Sequence, residues 1–204
     1  MAIRVSRVES QQKTRSKLLN AAAAVFTAKG YGGATVDDIL KESGLSKGGM
    51  YANFPSKEAL FLELLDRCLE EQFRSIREIM TRSTSLNERI EAIGKWAPIF
   101  IANPREWRML STEFWLHAVR NPDILPQLAT RYALQRQEVA AVIEEGYAQV
   151  GQAPPLPPLV LAAAVIGMIN GLSVQQVIDP SAISNQDYPS ALSQLLGFNT
   201  IDKN

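Results

Sequence analysis

Between residues 35 and 57 the chain sets out a row of side chains suited to gripping a polyanion. Lys47 can donate to the acceptor edge of guanine, and Asn53 can reach a base or a phosphate. Thr35 and Ser46 stand at expected helix starts, where free amides and the helix dipole favour an anion. Their hydroxyls can serve both as caps and as phosphate ligands, with capping alone the simpler role. Catalytic groupings are scarce by comparison. Ser10 and Lys13 have S-x-x-K spacing, but in an expected N-terminal arm without a pocket. His117 is the one histidine and Cys68 the one cysteine, so neither a histidine pair for a metal nor a cysteine zinc site can be assembled. No glycine loop to cradle phosphates and no pair of carboxylates on facing helices is present. The chemistry is recognition, with no enzymatic activity, metal or cofactor expected.

The elements that must position these residues follow from local signals. Thr35 and Asp38 have capping-box spacing, and Val36, Ile39 and Leu40 form one apolar face behind them. Gly44 can take the left-handed conformation that ends a helix, with Leu45 plugging the corner. Ser46 then opens a second short helix carrying Lys47, Gly48, Gly49, Tyr51 and Asn53. Two short helices joined by such a corner are a helix-turn-helix, whose second helix enters the DNA major groove. Each of the two glycines costs that helix roughly 1 kcal/mol relative to alanine. Close approach of the backbone to the groove would compensate; relief of a clash with a neighbouring helix is the alternative. Met50 and Phe54 belong to the domain core.

Residues 14–60 resemble the DNA-binding domain of the TetR/AcrR family of bacterial transcriptional regulators. The matching residues are Thr14, Arg15, Ala22, Ala23, Val25, Phe26, Gly30, Tyr31, Thr35, Val36 and Ile39, then Gly44-Leu45-Ser46-Lys47-Gly48, Met50, Tyr51, Phe54, Ser56, Lys57 and Leu60. Leu40, where the family often has a small residue, and the Gly48-Gly49 pair depart from its pattern and bear on how operator sequence is read. The resemblance implies that Tyr51 places its hydroxyl on a phosphate with its ring against the first helix, and that Lys57 pairs with another phosphate. Arg4, Arg7 and Arg15 would add phosphate or minor-groove contacts.

Charge agrees with this polarity. Up to Lys57 there are nine basic and four acidic residues, net +5, and beyond it twelve basic and seventeen acidic, net −5. A basic head on an acidic body points one end of the protein at a polyanion. No apolar stretch precedes Leu18, so no signal peptide is expected. The longest apolar run, Leu159–Ile169, is too short to span a bilayer. A cytoplasmic bacterial protein, associated with the nucleoid when bound to DNA, is the expectation.

The chain reads as all-α, with an arm and helix-turn-helix over 1–56 and a helical effector-binding and dimerisation body over 57–204. The arm covers residues 1–10 and a first helix residues 11–29, stopping at Gly30. In the body, Ser56 caps a helix from Lys57 to Arg82, and Ser85 with Glu88 forms a second capping box. Pro104 opens a helix that ends near Asn121-Pro122. Long helices follow over about 126–149 and 158–178, then a short one over about 190–196. By the resemblance, the two long helices pair with their symmetry mates in a homodimer. The small residues Ala162, Ala163, Ala164, Gly167 and Gly171 independently suit close helix–helix contact.

A small apolar effector is implied as the second partner. Trp96, Phe100, Trp107, Phe114, His117, Tyr132, Met168 and Asn170 are the candidates for its pocket, since such pockets are mostly apolar with a few polar groups. Ordinary core packing accounts for any one aromatic equally well, and a helix C-terminal role accounts for His117. Cys68 can be a redox switch or simply a small buried residue. The implied mechanism is a homodimeric repressor released from a palindromic operator when the effector swings the helix that begins at Lys57. The alternative class is an all-helical binding or catalytic protein with a vestigial head, which would show no salt-dependent operator binding.

Overall fold

A computed structural model describes residues 7–83, 85–96 and 104–197. Among these, every regular element is a helix: α1 Arg7–Gly33, α2 Val36–Ser43, α3 Lys47–Tyr51, α4 Lys57–Arg82, α5 Leu86–Trp96, α6 Pro104–Val119, α7 Leu125–Gln149, α8 Pro158–Ile178 and α9 Asp187–Leu195. α1 leaves helical geometry at Gly30, where φ is 70°, as the glycine signal anticipates. It starts earlier than expected, so residues 7–10 of the supposed arm are helical. Arg4 lies outside the described residues.

Local caps account for most helix starts. Thr35 Oγ1 accepts from the Asp38 amide at 3.1 Å, and the Asp38 carboxylate accepts from the Thr35 amide at 3.1 Å. The Ser85–Glu88 box forms in the same reciprocal way, at 3.3 and 3.2 Å. α6 begins with Pro104 and α8 with Pro158, positions where a missing amide costs no hydrogen bond.

Contacts divide the chain into two units, and the division falls elsewhere than at residue 56. The first unit runs to Cys68 and includes Met109–Leu125; the second comprises Leu69–Arg108 and the chain from Pro126. The reason is packing. The first turns of α4 bury Leu60, Phe61, Leu62 and Leu64 with Leu18, Leu19, Phe26, Ile39, Met50 and Phe54, and the second half of α6 adds Leu110 and Phe114 to that unit. α4 and α6 are therefore each continuous across the division.

The second unit has its own core, in which Ala140, Ile143 and Tyr147 of α7 meet Leu161, Ala162 and Val165 of α8, with Ile90, Leu192 and Leu196. Tyr147 donates to the Leu196 carbonyl. α5 and α9 cross so tightly at Gly94 that a Cβ there would lie 2.4 Å from Pro189 Cα. α8 corrects one expectation. Taken whole, its 21 residues are long and apolar enough to cross a membrane. Asn170, Ser173, Gln175 and Gln176 follow the apolar run Leu159–Ile169 without making the helix polar. Only part of its surface is buried within the chain: Leu159, Val160, Val174 and Ile178 are exposed, as are Ala163, Gly167 and Gly171.

Candidate nucleic-acid interface and effector cavity

The corner between α2 and α3 is built as its residues require. Gly44 sits at φ 61°, a left-handed position. Ser46 Oγ accepts from the Gly49 amide at 3.1 Å and so starts α3. α3 buries only Met50. Lys47 is exposed and Tyr51 is 48% exposed, leaving both free to meet a partner. A Cβ at Gly48 would meet nothing within 4 Å, and one at Gly49 only Ser46 Oγ at 3.4 Å. Relief of a clash with a neighbouring helix therefore does not account for either glycine.

Three side chains expected to contact DNA make hydrogen bonds within the protein. Asn53 turns its amide back to donate to the Gly49 carbonyl at 2.8 Å, closing the end of α3. Lys57 donates to the carbonyls of Tyr31 at 2.9 Å and Ala34 at 3.0 Å, with its ammonium 4.3 Å from the centre of the Tyr31 ring. At least two of its three donors are thus held by the end of α1. Arg15 forms a fork with Glu63 and donates to the Asn53 carbonyl at 2.8 Å, while its guanidinium lies 4.2 Å over the Phe54 ring. A guanidinium so engaged ties α1 to the end of α3 and to α4. Thr35 keeps its role as cap, backed by Asp38, whose carboxyl is lowered to about 2 by the Lys29 ammonium at 2.6 Å and by Thr35.

The second half of α6 supplies the part of this unit that sequence reasoning placed elsewhere. Phe114, fully buried, stacks on Phe61 with ring centres 4.0 Å apart and meets the Tyr31 ring edge-on at 4.9 Å. Glu113 accepts from the Gly32 amide at 3.2 Å and fills the space over Gly30, where a Cβ would lie 2.8 Å from its carboxylate oxygens. His117 lies beside Tyr31 and within 3.4 Å of Glu58, which also accepts from the Tyr31 hydroxyl at 2.9 Å. Burial pushes the Glu58 carboxyl up, but hydrogen bonds from its own backbone amide, Tyr31 and Ser56, with the neighbouring His117, outweigh that and hold it below the usual range. Burial raises the Tyr31 hydroxyl, as does its bond to Glu58. Phe114 and His117, proposed above for an effector pocket, are packing residues of the first unit. No spacing within α6 announces that its second half belongs with the first unit.

The second unit contains a cavity of about 100 Å³ bounded by five helices. α4 contributes Gln72, Phe73 and Ile76, α5 contributes Ile90 and Ile93, and α9 contributes Leu192 and Leu196. The α7 wall runs through Gln135, Glu138, Val139, Val142 and Ile143, and the α8 wall through Val165, Ile166, Ile169 and Asn170. Of the residues proposed for an effector site, Asn170 lines it and Met168 packs against the adjoining core. Trp107 and Tyr132 are half-buried in the same unit and do not line it. Phe100 and the side chain of Trp96 lie outside the described residues.

Gln72 and Gln135 also line the cavity, and the sequence carries a signal for both. Each interrupts an apolar helical row: Leu64, Cys68, Gln72, Ile76 on α4, and Leu128, Tyr132, Gln135, Val139, Val142 on α7. They meet in the structure, with Gln135 Nε2 donating to Gln72 Oε1 at 3.4 Å. Among the described residues, no group of three or more His, Cys, Asp or Glu side chains is placed to hold a metal ion.

Two family models match the chain, one over its head and one over its body. Residues 18–64 match the family described as bacterial regulatory proteins, tetR family, and residues 88–197 match the family described as BetI-type transcriptional repressor, C-terminal. The HTH-type transcriptional regulator YfiR of Bacillus subtilis is 27% identical over 177 residues, covering 83% of this chain and 82% of that protein. The fold is shared with the regulator FadR from Bacillus subtilis, solved in complex with stearoyl-CoA. That match has a TM-score of 0.74 at 16% identity, over 92% of this chain and 99% of that one. A transcriptional regulator from Saccharomonospora viridis in complex with choline superposes at a TM-score of 0.72 and 22% identity, over 94% and 100% of the two chains.

Proposed function

Since the chain belongs to the TetR family of bacterial transcriptional regulators, and is a DNA-binding regulator with a helical body, we propose that it acts as a homodimeric repressor released from a palindromic operator by a small effector. The observation that carries this is the exposed face of α3: a short helix bearing Lys47 and Tyr51 beside two glycines whose Cβ positions are open. Such a face lets the backbone lie against the groove while a lysine reaches a base edge. Thr35, Ser46 and Tyr51 would contact phosphates around it. Lys57 would act chiefly by fixing the end of α1, with at most one donor for DNA.

A two-fold operator calls for two heads. The exposed apolar side of α8, with Val160, Ala163, Gly167, Gly171, Val174 and Ile178 recurring at three- and four-residue steps, is the surface expected of a helix that pairs with its mate. Burial in a dimer, through α7 and α8, also accounts for the length and apolarity of α8 without a membrane. The regulator then works on the chromosome in the bacterial cytoplasm.

Release would run through α4 and α6. α4 lines the cavity with Gln72, Phe73 and Ile76 and, further toward its start, buries Leu60, Phe61 and Leu64 in the first unit. Coupling would pass along α4, since one helix carries both the cavity residues and Lys57. The half-site spacing changes, and operator affinity falls by the coupling free energy between the two sites. Two of the structural relatives were solved with small molecules bound, which supports an effector here. The test is sedimentation of the protein with DNA from upstream of its own gene. Two chains per duplex are expected, reduced to weakly bound monomers by Val174→Glu, which charges the exposed side of α8 without entering the core. One chain per duplex in the unaltered protein would remove the dimer.

A further inference from the structure

The cavity in the second unit is graded from apolar to polar, and the grading specifies a class of ligand. Ile90, Ile143, Val165, Leu192 and Leu196 form its floor and belong to the buried core. The polar lining residues, Gln72, Gln135, Glu138 and Asn170, are each partly or fully accessible. Three of them, Gln72, Gln135 and Glu138, lie together. Gln72 and Gln135 are hydrogen-bonded, and Glu138 lies one turn further along α7. α8 returns antiparallel to α7, and Leu161 and Ala162 share a core with Ile143 and Tyr147. Asn170 lines the same cavity from α8.

We propose, building on the effector reading above, that this cavity binds an uncharged amphiphile of about octyl length. Its hydrogen-bonding head would lie among Gln72, Gln135 and Asn170, and its chain would point to Ile143 and Leu196. Two measures agree on size. At about 10–15 Å³ for each water-sized group, a cavity of about 100 Å³ holds roughly seven to ten heavy atoms. From Gln135 to Ile143 the α7 wall is eight residues, about 12 Å at 1.5 Å per residue.

The choice of an uncharged head follows from the lining. None of the described lining residues is Lys, Arg or His, so a carboxylate would find no cation on the wall and would face Glu138. Arg77, itself exposed, lies 3.5 Å from Glu138 and off the cavity wall. A cationic head gains little from a carboxylate already paired at the surface. Three carboxamides, by contrast, offer both donors and acceptors to an alcohol, amide or ketone.

The test is isothermal titration calorimetry of the full protein, without DNA, against octanamide, octan-1-ol, octanoate and octyltrimethylammonium at neutral pH. Octanamide and octan-1-ol are expected to bind, and octanoate and the ammonium at least about ten-fold more weakly. Glu138→Gln should narrow the octanoate deficit, while Asn170→Leu, similar in volume, should weaken octanamide several-fold. Octanoate or the ammonium binding as tightly as octanamide overturns the proposal, as does failure of all four to bind. Operator binding, measured separately without ligand, can fail while these titrations succeed, so the two readings are tested apart.

Discussion

Replacing Phe114 with alanine distinguishes a residue that holds the DNA-binding head from one that touches an effector. Its ring is fully buried, stacked on Phe61 at 4.0 Å and edge-on to Tyr31 at 4.9 Å. Deleting a buried phenylalanine costs about 3–5 kcal/mol, including the cavity left behind. Each aromatic pair lost accounts for about 0.5–1.5 kcal/mol of such a cost. For a chain of this size each kcal/mol lowers the melting temperature by about 2–4 °C, so a fall of about 6–20 °C is expected. Thermal melting followed by circular dichroism measures it directly. Calorimetric titration of octanamide into the folded variant should leave ligand affinity within about two-fold, because Phe114 does not line the cavity. A melting temperature within 2 °C of the parent, combined with a large loss of ligand affinity, would refute the packing role and return Phe114 to the effector site.

Three other outcomes follow from single contacts. Gly94→Ala places a methyl against the Pro189 backbone, which cannot swing aside as a side chain can; unfolding in urea should show a loss of about 1–3 kcal/mol. Gly48→Ala meets open space and should raise helix stability by up to about 1 kcal/mol while weakening operator binding; unchanged affinity by electrophoretic shift would dismiss close approach there. Asp38 is held at about 2 in the folded protein against 3.8 for its unperturbed value. Its depressed carboxyl therefore contributes stability that is present above about pH 4 and lost as pH falls toward 2. Asp38→Asn should flatten that part of the stability curve, and an unchanged acid limb would show that the capping box does not set it.

What could be read from the sequence was what short-range chemistry decides. Thr35 with Asp38, Ser85 with Glu88 and Pro104 each mark a helix start within four residues, and all three form as expected. Met50 and Phe54 were legible as core because burial of one side of a short helix follows from its pattern, and both are buried. The roles that escaped depend on partners far along the chain. Lys57 meets a carbonyl 26 residues away, and Glu113 meets an amide 81 residues away. An exposed-looking lysine and a helix-surface glutamate carry no local sign of such bonds. Of the large aromatics expected at an effector site, Trp107, Phe114 and Tyr132 do not line the cavity, whereas Gln72 and Gln135, polar within apolar rows, do. Residue 56 is a cap and hence a natural boundary in sequence, but the start of α4 buries its apolar face with the head, so the packing boundary lies near residue 68.

Fluorescence anisotropy of the protein on labelled DNA from upstream of its own gene, across a salt series, tests operator recognition most directly. Tight binding that resists nonspecific competitor is expected, with a steep negative slope of log affinity against log salt. Lys47→Ala should relax sequence preference at one position, at a cost of about 1–3 kcal/mol, and Tyr51→Phe should weaken binding alike on all sequences. Weak binding that is indifferent to sequence, unaltered by either substitution, would contradict a head that reads DNA through α3.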